Sequence, residues 1–216
     1  MSAEDPNAAE SDPPAAARIL DAACELIAAE GIDEVRIARV AQRAGASTSL
    51  VHHYFSTREE LLEQALIHSF EQAGDDRFSE EVADVEGSAG DGLAAAIRDS
   101  LPYPGTQERE WVLWVELWLR AVREPDLRPV AARMYERYRS WMSDVIVAGI
   151  ASGEFRSDVD VERVASLAIA LLDGAGVRAL LGDPSMELEA ARGLIATALA
   201  AELGVEPAAL LSRSGR

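Results

Sequence analysis

The stretch AGASTSLVHHYF, residues 44–55, gathers hydroxyl groups, two adjacent imidazoles and a phenol. Imidazoles bind metal ions, transfer protons and contact nucleic acids. Adjacent residues point in different directions on a helix, so His52 and His53 are poorly placed to share one metal ion. Glu59 and Glu60 follow nearby, but no cysteine or carboxylate cluster completes a metal site. We expect a nucleic-acid contact here, with plain exposed surface and a metal site as the alternatives.

The flanking sequence predicts that these side chains lie on a helix-turn-helix over residues 36–55. Gly45 ends a short first helix, and Ser47 is a favourable N-cap for a second helix over 48–54. The second helix turns its apolar residues inward and leaves four polar residues outward: Thr48, Ser49, His52 and His53. A helix with such a face fits the major groove of DNA.

The distribution of charge agrees with a local DNA contact. The 216 residues carry a net charge of −18, which argues against a generally basic nucleic-acid coat protein. All 20 basic residues are arginine. Residues 33–58 carry four arginines against two acids, a local net charge of +2. A basic patch on an acidic body leaves specific contacts to decide where the protein binds.

Composition favours a cytoplasmic protein with a substantial hydrophobic core. Apolar residues make up 49% of the chain, and Cys24 is the single cysteine, which excludes an internal disulfide. Residues 1–17 carry four acids and no base, unlike a secretory signal. The most apolar stretch contains Asp173 and Arg178, so no membrane span is expected.

Hydrophobic periodicity predicts an all-α fold of about nine helices. A flexible acidic tail (1–14) precedes a helix over 15–30, and the helix-turn-helix and a fourth helix follow. An acidic, glycine-rich stretch begins near residue 74. Beyond it, the pattern predicts further helices over 91–101, 106–123, 126–152, 160–182 and 186–203. No alternating strand pattern is present.

Three tryptophans share one face of the helix predicted over 106–123. Trp111, Trp114 and Trp118 fall at i, i+3 and i+7, which is typical of a hydrophobic core. The functional alternative is a ligand pocket that Trp141 joins, with Glu116 or Asp173 supplying negative charge. Indoles beside a carboxylate suit a flat or cationic apolar ligand.

The last two long helices carry more apolar surface than a single helix face can bury. This surplus over 160–182 and 186–203 favours dimerisation, with burial inside one chain as the alternative. Asp173 lies within the apolar stretch AIALLDGAG, where an unpaired carboxylate is costly. A partner across the dimer interface and a role as pocket anchor are equally open for it.

Two stretches carry a family resemblance. ILDAACELIAAEGIDEVRIARVAQRAGASTSLVHHYFSTREELLEQAL, roughly residues 18–66, resembles the DNA-binding domain of TetR-family bacterial regulators. The features that coincide are the apolar stripe of helix one, the glycine after it, VA..AG.S, the aromatic-rich VHHYF and a basic residue before EEL. YERYRSWMSDVIVAGIASGEFRSDVDVERVASLAIALLDG more loosely resembles the BetI-like branch.

The resemblance implies a homodimer that binds a palindromic operator and releases it when a small molecule occupies the larger domain. It implies base or phosphate contacts by the four outward residues of the second helix, and phosphate contacts by Tyr54 and Arg58. Arg36 stands where the family usually has Ser or Thr, so a helix cap is lost, but a longer donor can reach phosphate. Ser47, the predicted cap, completes the DNA-binding set.

The predicted domains are a tail (1–14), a helix-turn-helix DNA-binding domain (15–75), a ligand-binding and dimerisation domain (76–204) and a C-terminal tail (205–216). The leading hypothesis is a ligand-responsive transcriptional regulator, most readily a repressor. The alternative is a helical ligand-binding or interaction protein whose helix-turn-helix no longer binds DNA. No phosphate loop, GxSxG or HExxH motif is present, so we expect no enzyme, catalytic residue, metal or cofactor.

Overall fold

The computed structural model describes residues 14–77 and 88–211. These residues form nine α-helices and no strand, which confirms the all-α prediction. The helices are α1 (Ala15–Glu30), α2 (Ile37–Arg43), α3 (Thr48–Tyr54), α4 (Arg58–Arg77), α5 (Ala89–Asp99), α6 (Thr106–Arg123), α7 (Arg128–Ser152), α8 (Val161–Leu180) and α9 (Leu188–Leu203). Short 3-10 helices cover Ile32–Glu34, Pro125–Leu127 and Pro207–Leu210. The predicted acidic tail lies outside the described residues, except for Pro14.

The chain divides into two compact units, one up to Ala65 and one from Leu66 onward. Helix α4 is continuous across this division: Leu61 and Leu62 are buried in its first half, and Phe70 and Ala73 in its second. The division therefore falls earlier than the boundary at 75/76 that composition suggested. The acidic, glycine-rich composition that marked that boundary begins only near the end of α4.

In the first unit, α1, α2 and α3 pack around a small core. Helix α1 buries an apolar stripe and packs on α2 and α3, in which Val40, Ala41 and Val51 are buried. Gly45 adopts a φ of 62°, the left-handed conformation that the turn between α2 and α3 requires. The Ser47 hydroxyl accepts a hydrogen bond of 3.1 Å from the Leu50 amide, as an N-cap does. Leu50, predicted to face inward, is only half-buried.

In the second unit, α5, α7, α8 and α9 share one hydrophobic core. Helix α5 begins at Ala89 rather than at the predicted residue 91, because Ser88 and Asp91 form a reciprocal capping box. The region 205–216 was predicted to be a tail, but its described part is not one. Pro207–Leu210 form a 3-10 helix, and the Leu210 side chain is buried against the common core.

Candidate DNA-binding surface and aromatic cluster

Helix α3 presents its polar residues to solvent. Thr48, Ser49, His52 and His53 are exposed, while Val51 on the opposite face is fully buried. The Ser47 and Ser49 hydroxyl oxygens lie 2.8 Å apart. Both serines lie at the exposed surface of the first unit.

Tyr54 closes the exposed surface of α3 at its C-terminal end. Its ring lies edge-on to His53, with centroids 5.2 Å apart, and 43% of the residue is exposed. Tyr54 is therefore accessible from solvent, whereas the following Phe55 is buried in the first unit.

Two of the four arginines counted in the basic patch are ion-paired with α1. Arg39 forms a two-pronged pair with Glu30, and the Arg43 Nε donates to Glu25 Oε2 at 2.6 Å. The local charge of +2 therefore overstates the positive charge available on this surface. Both pairs are solvent-exposed, and such pairs contribute only about 0–1 kcal/mol, so phosphates are able to displace them.

The other two arginines bind backbone carbonyls. Arg36 makes no cap for α2, as predicted, and its Nη1 donates to the Asp33 oxygen at 2.6 Å. Arg58 donates from Nε to the Val35 oxygen at 2.7 Å and from Nη2 to the Ile32 oxygen at 2.7 Å. From the sequence, both residues were expected to contact DNA phosphates. No sequence pattern indicated their hydrogen bonds to carbonyl oxygens, because these depend on the tertiary structure.

The predicted tryptophan stripe forms one aromatic cluster, defined by Trp111, Trp114 and Trp118. The ring centroids lie 5.9–6.4 Å apart, and Phe70 of α4 adds a contact of 5.6 Å to Trp114. Trp111 is 3% exposed, and its indole Nε1 donates to the Ser100 oxygen at 3.1 Å. Trp111 therefore behaves as a core residue.

Trp118 connects this cluster, through Tyr135, to the half-buried carboxylate of Asp173. Its ring is nearly parallel to that of Tyr135, with centroids 6.3 Å apart, and the Tyr135 hydroxyl donates to Asp173 Oδ2 at 2.8 Å. Within residues 14–77 and 88–211, the buried Trp118 Nε1 has no hydrogen-bond partner. Tyr135 was not singled out from the sequence, although the isolated Asp173 indicated that some donor was needed.

Burial governs the protonation of this pair. Desolvation raises the pKa of Asp173, and the Tyr135 hydrogen bond opposes that shift. The pKa of Tyr135 is also raised, first by burial and then by the neighbouring carboxylate. Arg178, the nearest arginine in the sequence, instead donates to Asp183 at 2.8 Å. Asp173 is therefore anchored within its own chain by a tyrosine.

The remaining predicted pocket residue, Trp141, stacks on Tyr138 of the same helix, with centroids 5.8 Å apart and ring planes 18° apart. A separate crevice of about 300 Å³ opens between α4 and α7. Phe70, Val130 and Met134 form its buried floor, and charged residues stand around it: Glu71, Arg133, Glu136 and Arg137. Phe70 contacts both this crevice and the aromatic cluster.

No group of three or more His, Cys, Asp or Glu side chains within the described ranges is arranged to hold a metal ion. None of the described helices is long and apolar enough to span a membrane.

Three features define a class: a helix-turn-helix unit, a larger helical unit and one helix continuous through both. Residues 19–65 match the model of bacterial regulatory proteins of the tetR family, and residues 89–204 match the C-terminal model of the BetI-type transcriptional repressor. The chain is thus a helix-turn-helix transcriptional regulator. It belongs to the TetR family, in the branch with a BetI-type C-terminal domain.

Similar proteins agree with this placement. The HTH-type transcriptional regulator BetI of Escherichia coli is 26% identical over 180 residues, which cover 82% of this chain and 88% of that protein. A transcriptional regulator from Saccharomonospora viridis, solved in complex with choline, is 30% identical with a TM-score of 0.74, covering 84% of this chain and 93% of the other. A TetR-family regulator from Rhodococcus is 31% identical with a TM-score of 0.70, covering 88% and 98%.

Proposed function

We propose that this regulator is a cytoplasmic homodimeric repressor, without enzymatic activity, that binds a palindromic operator through α3. In this proposal a small cationic molecule binds beside Trp118, Tyr135 and Asp173 and releases the operator. The ligand can release the operator only if its affinity differs between the DNA-binding and DNA-free conformations of the protein. The first unit binds DNA, and the second binds the ligand and the partner subunit.

The observation that carries the DNA assignment is the polar face of α3. Thr48, Ser49, His52 and His53 are exposed together on a helix whose other face is fixed by buried Val51. We assign these four side chains to base edges and nearby phosphates. Phosphate contacts are assigned to Ser47, Tyr54 and Arg36, and Arg39 and Arg43 are expected to join them once DNA displaces their glutamates.

A dimer through α8 and α9 is supported by apolar surface that the single chain leaves uncovered. Leu181 is 79% exposed and Leu194 is 48% exposed. Small residues at intervals of four, Ser166, Ala170 and Gly174, are exposed along α8. Small residues allow helices of two subunits to approach closely, and uncovered apolar surface favours association.

The dimer assignment is tested by charge placed in that face. Ala170→Glu is expected to give monomers at micromolar concentration in light scattering after size exclusion. Ala132→Glu, which introduces the same charge at an exposed position of α7, is expected to leave the dimer intact. If the Ala170→Glu protein remained dimeric, the dimer interface would have to lie elsewhere than this face of α8.

The ligand class follows from the surroundings of Asp173. Aromatic faces attract cations, each contact contributing about 0.5–2 kcal/mol, and a carboxylate adds charge complementarity. Trp118 and Tyr135 supply two rings, Asp173 supplies the carboxylate, and the buried Trp118 Nε1 supplies a donor. The choline complex of the Saccharomonospora viridis relative supports a quaternary ammonium compound as the first ligand to test.

Choline and its neutral tert-butyl analogue distinguish charge recognition from simple apolar burial. Titration monitored by tryptophan fluorescence is expected to show binding of choline and much weaker binding of the analogue. Asp173→Asn should remove the preference for choline. Equal binding of both compounds would show that the ligand is recognised by shape alone.

The DNA assignment is tested by selecting genomic fragments of the source organism on purified protein at near-physiological salt. The native protein is expected to enrich a palindrome, and His52→Ala is expected to lose that enrichment. His68→Ala is the matched control, since it removes the same side chain from α4. Folded, dimeric, ligand-free protein that enriches no sequence would favour the alternative of a helical interaction protein.

A further inference from the structure

Two arginines converge on the turn between α1 and α2. The Asp33 oxygen accepts from Arg36 Nη1 at 2.6 Å and from Arg58 Nη2 at 3.0 Å. The Val35 oxygen accepts from the same two side chains, at 3.3 Å from Arg36 Nη1 and 2.7 Å from Arg58 Nε. Together with the Ile32 oxygen, these carbonyls form a cradle that we call the 32–35 turn.

Most of the hydrogen-bonding capacity of Arg58 is committed to this turn. A guanidinium has five N–H donors, and Arg58 directs those of Nε and Nη2 to three carbonyl oxygens. Its remaining nitrogen, Nη1, lies 3.6 Å from Glu59 Oε1, and the side chain is only 26% exposed. A DNA phosphate therefore meets few free donors on this residue.

The 32–35 turn leads into α2, which begins without a side-chain N-cap hydrogen bond. Arg36 occupies the N-cap position of α2 and provides no side-chain acceptor for the first amides. A Ser or Thr there would fix the start of the helix locally. Arg58, at the first residue of α4, instead holds the preceding turn from its carbonyl side.

We propose that Arg58 is a positioning residue that ties the start of α4 to the 32–35 turn and thereby holds α2, and α3 packed against it, in the pose that DNA recognition needs. It does not act as a phosphate ligand. The planar fork of arginine reaches three acceptors at once, whereas a lysine ammonium is a compact charge on a flexible stem. The consequence for DNA rests on the proposed function, but the tie itself does not.

The conservative variant Arg58→Lys separates these roles, because it keeps the charge and loses the fork. Hydrogen exchange of the DNA-free protein is expected to accelerate at least tenfold for amides of residues 34–40, with the amides of α7–α9 unchanged. DNA affinity is expected to fall at least tenfold, with an unchanged slope of log affinity against log salt. Arg98→Lys is the matched control, since its Nε donates to Asp99 Oδ1 at 2.9 Å at the exposed end of α5, and it should alter neither measurement.

Arg58→Ala completes the test. A phosphate ligand would lower the salt slope by about 0.9 when removed, without altering exchange in the 32–35 turn. That result, or native exchange and native affinity in Arg58→Lys, would overturn the proposal. Loss of the whole fold in Arg58→Lys would also contradict it, because the proposed tie holds one turn. If the native protein bound no DNA, the proposed function would fail while the exchange experiment still decided the role of Arg58.

Discussion

Replacing Gly176 of α8 with alanine should destabilise the protein, against the usual benefit of alanine in a helix. An added Cβ would lie 2.3 Å from both Cη2 and Cζ2 of Trp111. Ordinary carbon contacts are about 3.5–4.0 Å, so the ring or α8 must move by roughly 1 Å or more. The ring has little room to move, because it is buried and its Nε1 is hydrogen-bonded to Ser100.

The free-energy change can be worked from three terms. Overpacking a close-packed core costs about 1–3 kcal/mol. Losing the hydrogen bond between Trp111 and Ser100 would add about 0.5–1.5 kcal/mol. The higher helix propensity of alanine returns about 1 kcal/mol. We expect a net destabilisation of about 1–3 kcal/mol, which for a chain of this size lowers Tm by roughly 2–12 °C.

Thermal unfolding by circular dichroism, at one protein concentration for all variants, measures this change. Gly92→Ala is the matched control: it lies in α5, and among the described residues no atom outside its chain neighbours and its own helix backbone lies within 4 Å of the added Cβ. The free energy of unfolding of the Gly92→Ala protein should be about 0.5–1 kcal/mol higher than that of the native protein. A Gly176→Ala protein that melts at or above the native temperature would refute the packing argument for Trp111.

Two further predictions test separate parts of the structure. Ser47→Ala removes the N-cap of α3 and should lower the free energy of unfolding by about 1 kcal/mol, measured by urea denaturation. Burial raises the pKa of Asp173, so the native protein loses stability as pH rises from the ordinary Asp range through that raised pKa. Asp173→Asn still accepts from Tyr135 but lacks this titration, so its free energy of unfolding relative to the native protein should grow as pH rises above the ordinary Asp range of about 4. A difference that stays constant with pH in urea denaturation would contradict the shift.

The fold was largely readable from periodicity, and so was the exposed face of α3. Val51 and the outward residue His52 follow from helical spacing alone, since a short helix with one apolar face has one way to pack. Local capping was readable as well, as with Ser47. The start of α5 was missed because the capping box of Ser88 and Asp91 stands inside a glycine-rich acidic stretch that resembles a loop.

The candidate site was only half readable, because side-chain partners distant in sequence leave no periodic signal. The spacing of the tryptophans identified their shared face but not that Gly176 receives the ring of Trp111. Asp173 was recognised as costly, yet its partner Tyr135 lies on another helix. The hydrogen bonds of Arg58 to carbonyl oxygens likewise depend on tertiary structure, so charge alone suggested a phosphate contact.

The ion pairs of Arg39 and Arg43 mean that DNA meets a competitor that cannot diffuse away. Glu25 and Glu30 are attached to α1, so after a phosphate displaces them they remain near the arginines at an effective concentration on the order of millimolar. A duplex that offers only phosphates must outcompete them, whereas an operator also gains the base contacts of α3. Displacing the glutamates costs the same free energy on either DNA, so we expect Glu25→Gln with Glu30→Gln to tighten binding to random DNA and to the operator by similar factors, which competition binding at fixed salt would measure. The acidic residues of α1 would thus serve as an internal threshold against the excess of non-operator DNA.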